Sequence, residues 1–299
     1  MERRLMERRL IDADSGRVAV SYHAPAVKIP GLPLLVALHG GTYTSAYFGV
    51  AGGPSGSFLD IAGRNGFSVL TVDRPGYGES TLLPEEENTF ARQAEILDHV
   101  IAQALDLWPA PGVVLVGHSI GGMISLEIAA RHPRWPLVAV ATSGNGARIP
   151  AGGAAEALGS LPLSGVVDLP VTERDGVMFG PEGSFTEAAR SAAHGSYAPT
   201  PFIELVRAPV WARERLSVVA AAVEVPVQTV LAAHDALWDS SAAALADYAS
   251  RFTGPASATV LPATGHSIDH HLMGAALDLG QLAFAQSCMA LRGQAAPVA

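Results

Sequence analysis

Gly117-His118-Ser119-Ile120-Gly121 sets a single serine at the point where a strand-like run gives way to a helix-like one. A serine hydroxyl is a weak nucleophile at neutral pH and becomes a useful one only beside a base. The run before it, Gly112 to Val116, is short, apolar and β-branched, as a buried strand would be, and Gly122 to Arg131 then reads as a helix. A turn that tight forces Ser119 into a strained backbone, and the small residues Gly117 and Gly121 make room for it. The hydroxyl then stands at the head of the helix, where the first amides and the dipole favour developing negative charge. G-x-S-x-G also arises by chance in ordinary glycine-rich turns, so its weight depends on partners elsewhere.

Those partners follow in order. Leu34 to Leu38 is a second buried-strand run, and it ends in His39-Gly40-Gly41-Thr42. Val69 to Val72 leads into Asp73-Arg74-Pro75-Gly76-Tyr77-Gly78. Val227 to Ala233 delivers His234-Asp235, and Ala258 to Leu261 is followed by Pro262-Ala263-Thr264-Gly265-His266. Serine, then aspartate, then histidine is the chain order of one triad scaffold. With these four ordered motifs the chain resembles the α/β-hydrolases from about Val18 to Cys288.

The resemblance implies an α/β fold: a mostly parallel central sheet, helices on both faces and an inserted cap. His266 would take the Ser119 proton and return it to the leaving group, and Asp235 would hold the other ring nitrogen. Asp239, four residues on, competes for the acid's role, but Asp235 stands where the strand ends, as the family places it. Many relatives have glycine where Ala232 stands, which leaves the path of that loop open. The backbone amides of Ile120 and Gly41 are the candidate oxyanion donors. Thr42, which could add a hydroxyl, and His118, at the variable position of the turn, are the candidate substrate contacts. His270 and His271 lie near His266 but are irregularly spaced for a metal, so they read as polarity at a helix start; neither metal nor cofactor is expected. Asp73 and Arg74 read as structural ties for the loop that follows them, and Glu127 as a buried structural acid.

Serine at the turn sets aside haloalkane dehalogenases and epoxide hydrolases, whose pattern has aspartate there. The expected reaction is hydrolysis of an ester or lactone of a medium-sized, largely apolar small molecule through a Ser119 acyl-enzyme. The sequence around His39 and His266 is similar to that of bacterial hydrolases found with secondary-metabolite pathways. Alternatives on the same fold are a lyase or cyclase, an acyltransferase, and a thioesterase with Arg207, Arg213 and Arg215 as a basic entrance. A binding protein with an idle triad is a further alternative, disfavoured by the completeness of the three residues.

The rest of the chain sets bounds on these readings. At 299 residues and 49% hydrophobic content it can bury the core of one large domain. A formal charge of −9 disfavours nucleic acid and anionic membranes as partners. Lys28 is the only lysine among many arginines and alanines, a composition typical of a high-GC bacterial genome. Cys288 is the only cysteine, so no intrachain disulfide can form. No uninterrupted run reaches the ~18 apolar residues of a membrane span, and a soluble cytoplasmic protein is expected. The oligomeric state is left open.

Met1-Glu2-Arg3-Arg4-Leu5 repeats at once as Met6 to Leu10, and residues 1–10 read as a flexible extension. Residues 11–147 and 216–299 read as the core, with helices over Ser57–Asn65 and Asn88–Leu107, Asn88 being the N-cap of the second. Residues 148–215 are rich in Gly, Pro, Ser and Ala, with short helices at 202–206 and 210–216, and read as a cap or lid. Phe179, Phe185, Tyr197, Phe202 and Trp211 give this segment apolar anchors that a disordered linker would lack, and they are expected to line an apolar pocket.

Overall fold

The computed structural model describes residues 6–161 and 164–295. A hairpin of β1 (Met6–Ala13) and β2 (Gly16–His23) leads into β3 (Leu34–Leu38), α1 (Phe58–Arg64), β4 (Val69–Val72) and α2 (Phe90–Leu107). Next come β5 (Val113–His118), α3 (Ile120–Ala130) and β6 (Leu137–Ser143). The chain then leaves the sheet for short elements: α4 (Ala154–Gly159), β7 (Val166–Val167), α5 (Val171–Met178), α6 (Glu187–His194), β8 (Thr200–Pro201) and α7 (Phe202–Glu214). It returns through α8 (Leu216–Ala222), β9 (Val227–Ala232), α9 (Ala242–Ser250), β10 (Ala256–Leu261) and α10 (Gly274–Ala295).

Eight strands form one sheet in the order β1-β2-β4-β3-β5-β6-β9-β10. Only β2 runs against the others, pairing antiparallel with β1 and with β4. The central strands are apolar along their whole length because both sheet faces are covered. Their residues alternate between the two layers with the strand period of two. Leu34, Val36 and Leu38 join the cluster beneath α2, α3, α8 and α9, whereas Leu35 and Ala37 join the one beneath α1 and α10. β5 divides in the same way, Val113 and Leu115 on one side and Val114 and Val116 on the other. α3 is buried nearly all round, which is why its sequence shows no polar face.

Three expectations are corrected. Residues 6–10 are not a loose extension: they are the first part of β1, in register with Ala19–His23, and Arg8 pairs with Asp73 at 3.2 Å. Residues 1–5 lie outside the described residues. The N-cap of α2 is Thr89, whose hydroxyl accepts from the Arg92 amide, while the Asn88 side-chain oxygen accepts from Gln93 Nε2. The two short helices read between Phe202 and Leu216 are one helix, α7, which continues through Pro209 although that residue has no amide to donate.

The cap aromatics serve packing. Phe179 and Phe185 join the core layer of α1 and α10, and Trp211 the opposite layer, where its indole N–H donates to Glu127 Oε1 at 2.7 Å. No described helix is long and apolar enough to cross a membrane.

Candidate active site

β5 and α3 meet at Ser119 with no intervening loop, and Ser119 takes φ 53° and ψ −120°, a conformation costly for any side chain but glycine. The bend is possible because Gly121 packs directly on the Leu38 and His39 carbonyls, where a Cβ would collide with backbone. The Ser119 amide donates to the Ser143 carbonyl at 2.7 Å, tying the turn to the end of β6.

His266 Nε2 stands 3.0 Å from Ser119 Oγ, and His266 Nδ1 lies 3.0 Å from both carboxylate oxygens of Asp235. The structure thus brings together side chains from the ends of β5, β9 and β10. The Asp235 side chain is fully buried and also accepts from the amides of Leu237 and Trp238, which fixes its plane. Asp239 faces elsewhere: its carboxylate accepts from the Ser241 amide at the start of α9, and this hydrogen bond holds its pKa below the ordinary carboxylate value. Of the two aspartates, only Asp235 touches the imidazole.

The His266 loop is held by the cap. Ser267 donates its amide to the Met178 carbonyl, and its hydroxyl lies 2.8 Å from the Tyr43 hydroxyl. His271 Nε2 accepts from the amides of both Gly180 and Gly265. His270 and His271 are buried rather than helix-start residues; burial lowers both pKa values, that of His270 to about 3. Among the described residues no cluster of His, Cys, Asp and Glu is arranged to hold a metal.

The Gly40-Gly41-Thr42 segment lies against the serine, since a Cβ on Gly40 would sit 3.0 Å from Ser119 Cβ and one on Gly41 3.1 Å from Ile120 Cδ1. Arg74 sets its orientation. The buried guanidinium donates to the His39 carbonyl at 2.9 Å and the Gly40 carbonyl at 3.1 Å, and His39 Nδ1 also reaches the Gly40 carbonyl. In a trans peptide the N–H points opposite to the C=O, so drawing the Gly40 carbonyl toward Arg74 turns the Gly41 amide away from it. Neither the Gly41 nor the Ile120 amide donates to an acceptor among the described residues. His39 Nε2 accepts from the Arg74 amide, so its proton is on Nδ1, and burial with the Arg74 charge pushes its pKa well down.

Arg74 in turn pairs with Glu204 of α7 at 2.9 Å, both side chains fully buried, and Gln93 and Tyr77 also donate to that carboxylate. Arg74 ties the loop after it, as the sequence suggested, with its guanidinium 4.7 Å from the Tyr77 ring centre, and its side chain also joins the Gly41 segment to the cap. Nothing in the sequence around Glu204 marks it as the partner, because the pair is separated by 130 residues.

A cavity of about 350 Å³ opens over Ser119, lined mostly by aliphatic cap residues, with Gly41, Thr42, Ile120, Trp238 and His266 at its base. The expected apolar character is present, but the expected aromatic lining is not, because the cap aromatics anchor the cap instead. Thr42 faces the cavity at φ 65°, with its hydroxyl buried and unpartnered among the described residues. His118 does not line it. Its ring stacks on Tyr47 at 4.5 Å, its Nδ1 lies 3.2 Å from Ser143 Oγ, and burial holds its pKa well below normal. Arg207, Arg213 and Arg215 do not line it either: Arg207 bonds the Asn88 carbonyl and Arg215 pairs with Glu127 at 3.3 Å.

Known proteins share this arrangement of elements. An uncharacterised hydrolase of Bacillus subtilis, YugF, is 31% identical over 106 residues, which are 35% of this chain and 34% of that protein. The curated relatives are matched over less than half of their own length. An N-acyl homoserine lactonase, AidH, superposes with a TM-score of 0.68 at 17% identity, covering 94% of this chain and 97% of its own. Proline iminopeptidase of Mycobacterium smegmatis gives 0.67 at 17% identity, covering 96% and 100%. At such identities the likeness establishes a shared fold. The sequence pattern of the alpha/beta hydrolase family matches residues 35–277, most of the chain, and with the sheet order and the strand–serine–helix turn this chain belongs to that family.

Proposed function

We propose that this chain is a serine hydrolase that cleaves an ester or lactone of a medium-sized, largely apolar small molecule. The reading is carried by one observation: an unbroken Ser119–His266–Asp235 contact chain beneath an apolar cavity of about 350 Å³. His266 accepts the Ser119 proton as Oγ attacks the carbonyl carbon, and Asp235 keeps the ring in the tautomer whose Nε2 is free to do so. The Ile120 and Gly41 amides receive the tetrahedral oxyanion, each such donor being worth roughly 3 kcal/mol of barrier. His266 then protonates the departing alcohol, and water reverses the sequence to release the acid.

Fold-mates named as lactonase and esterase support this substrate class. An aminopeptidase reading would ask for acidic groups to hold a substrate amine, and Glu173, on the exposed side of α5, is the only carboxylate residue among those lining the cavity. The thioesterase variant loses its basic entrance, because none of the three arginines lines the cavity.

A chromogenic short-chain ester should be hydrolysed by the wild type and not by Ser119→Ala. A fluorophosphonate should label Ser119 alone, and His266→Ala should suppress that labelling by at least about 100-fold. Equal hydrolysis by the wild type and Ser119→Ala would overturn the acyl-enzyme, and undiminished labelling of His266→Ala would remove that histidine as the base.

A further inference from the structure

The aliphatic lining of the cavity is broken by one buried cation. Arg174 sits on the face of α5 that also presents Val177 and Met178 to the cavity, and its side chain is 3% exposed. One guanidinium nitrogen, Nη2, bonds Asp168, which lies outside the cavity and is itself 72% exposed. The guanidinium plane is braced against the Tyr197 ring, with Cζ 4.9 Å from the ring centre. Its Nε–H, buried, has no acceptor among the described residues. A guanidinium never gives up its charge in a protein, and buried donors are almost always paired. The ion pair and the ring explain how Arg174 is held in place, but they leave that N–H unsatisfied.

We infer that Arg174 forms a polar subsite, so that the preferred ester or lactone carries a second oxygen acceptor, a carboxylate or a ketone carbonyl, on its apolar chain away from the scissile carbonyl. This rests on the hydrolase reading of Ser119 and narrows it from apolar esters to oxygenated ones. The aliphatic wall takes the methylenes, and the guanidinium takes the distal oxygen once a small shift of the Arg174 side chain opens its Nε–H, which is shut off from the cavity in this structure. A hydrogen bond from a charged donor inside a dry wall discriminates strongly, because a plain hydrocarbon leaves the donor unpaired.

Binding separates the subsite from the chemistry. Ser119→Ala protein, which keeps the cavity, is titrated by calorimetry with four probes of matched length: methyl octanoate, monomethyl suberate, methyl 7-oxo-octanoate, and 8-acetoxyoctanoic acid. The last places its carboxylate on the alcohol side of the ester. At least one oxygenated probe should bind about 10- to 100-fold more tightly than methyl octanoate. Preference for the carboxylates over the ketone identifies an anionic substrate group, and equal preference a neutral one. Adding Arg174→Met, which keeps length but no donor, should bring every ratio to about one, and Arg174→Lys should restore only the carboxylate ratio in part.

Ratios of one for all probes in the Ser119→Ala protein overturn the subsite, as does a ratio that survives Arg174→Met. If the arginine variants fail to fold, the ratios in the Ser119→Ala protein alone decide. Hydrolysis of a chromogenic ester by the wild type is read separately. Cleavage without oxygen preference sinks the subsite and spares the hydrolase, whereas preference without cleavage does the reverse.

Discussion

At the scale of single residues, the site depends on which groups the backbone leaves facing one another. Asp235 and Asp239 are four residues apart in one loop, yet one carboxylate meets the imidazole and the other accepts from the amide of Ser241, the N-cap of α9. Asp235→Asn should lower kcat for a chromogenic ester by on the order of 10⁴-fold, because an amide at that position favours the wrong tautomer. Asp239→Asn should stay within about twofold of wild type and lose only a few tenths of a kcal/mol, because an asparagine oxygen can still accept from the Ser241 amide. Steady-state kinetics of the two variants check this, and equal losses in both would break the assignment of the acid. Ser119, His266 and the Gly41 segment were legible because each ends a strand of distinctive composition, so the signal sits within a few neighbouring residues. Arg174 was not, since an arginine in a short polar helix looks like any solvated one until its neighbours are in place.

At the scale of elements, the cap is joined to the core by polar contacts as well as by aromatic packing. Arg74 and Glu204 form a fully buried pair bridging the loop after β4 and helix α7, and the same guanidinium holds the carbonyls before Gly41. Removing one partner leaves the other charged and dry, which costs far more than the intact pair contributes. Glu204→Ala should therefore destabilise the protein by about 3–5 kcal/mol in urea unfolding. It should also reduce kcat, because the Gly40 carbonyl loses its anchor. A stability change below about 1 kcal/mol would mean that water reaches Arg74 in solution. The buried Glu127 read from the sequence has its partner in Trp211, and the aromatics expected in the pocket are spent on cap anchoring. Composition showed that the cap has apolar anchors but not which way they face, because short helices without a clear periodic face carry no direction.

At the scale of the whole molecule, a buried acidic pair sets a pH dependence of stability. Asp269 and Asp278 lie together behind the His266 loop, with the Tyr47 hydroxyl donating to Asp269 at 2.7 Å. Burial pushes Asp269 up to about 6, and burial together with the Asp269 charge raises Asp278 well above its ordinary value. In the unfolded chain both release protons near 3.8, whereas the folded protein retains them to higher pH. The folded state thus binds more protons across that window, and stability falls as pH rises from about 4 through about 6 and beyond. Asp278→Asn removes the group that must ionise in the dry interior. It should raise Tm by a few degrees at pH 8, on the order of 2 °C per kcal/mol, and by less at pH 5. Thermal melts across pH check this, and parallel curves for the two proteins would refute it.

Strand period and turn chemistry are local properties, each written within about ten residues, and with the chain order of serine, aspartate and histidine they were enough to determine the sheet, its two helical layers and which three side chains meet at Ser119. The cavity, its aliphatic wall and its solitary arginine exist only where segments far apart in the chain close over Ser119. Packing decides them, because burial and unmet hydrogen bonds belong to a place in space and to no stretch of sequence.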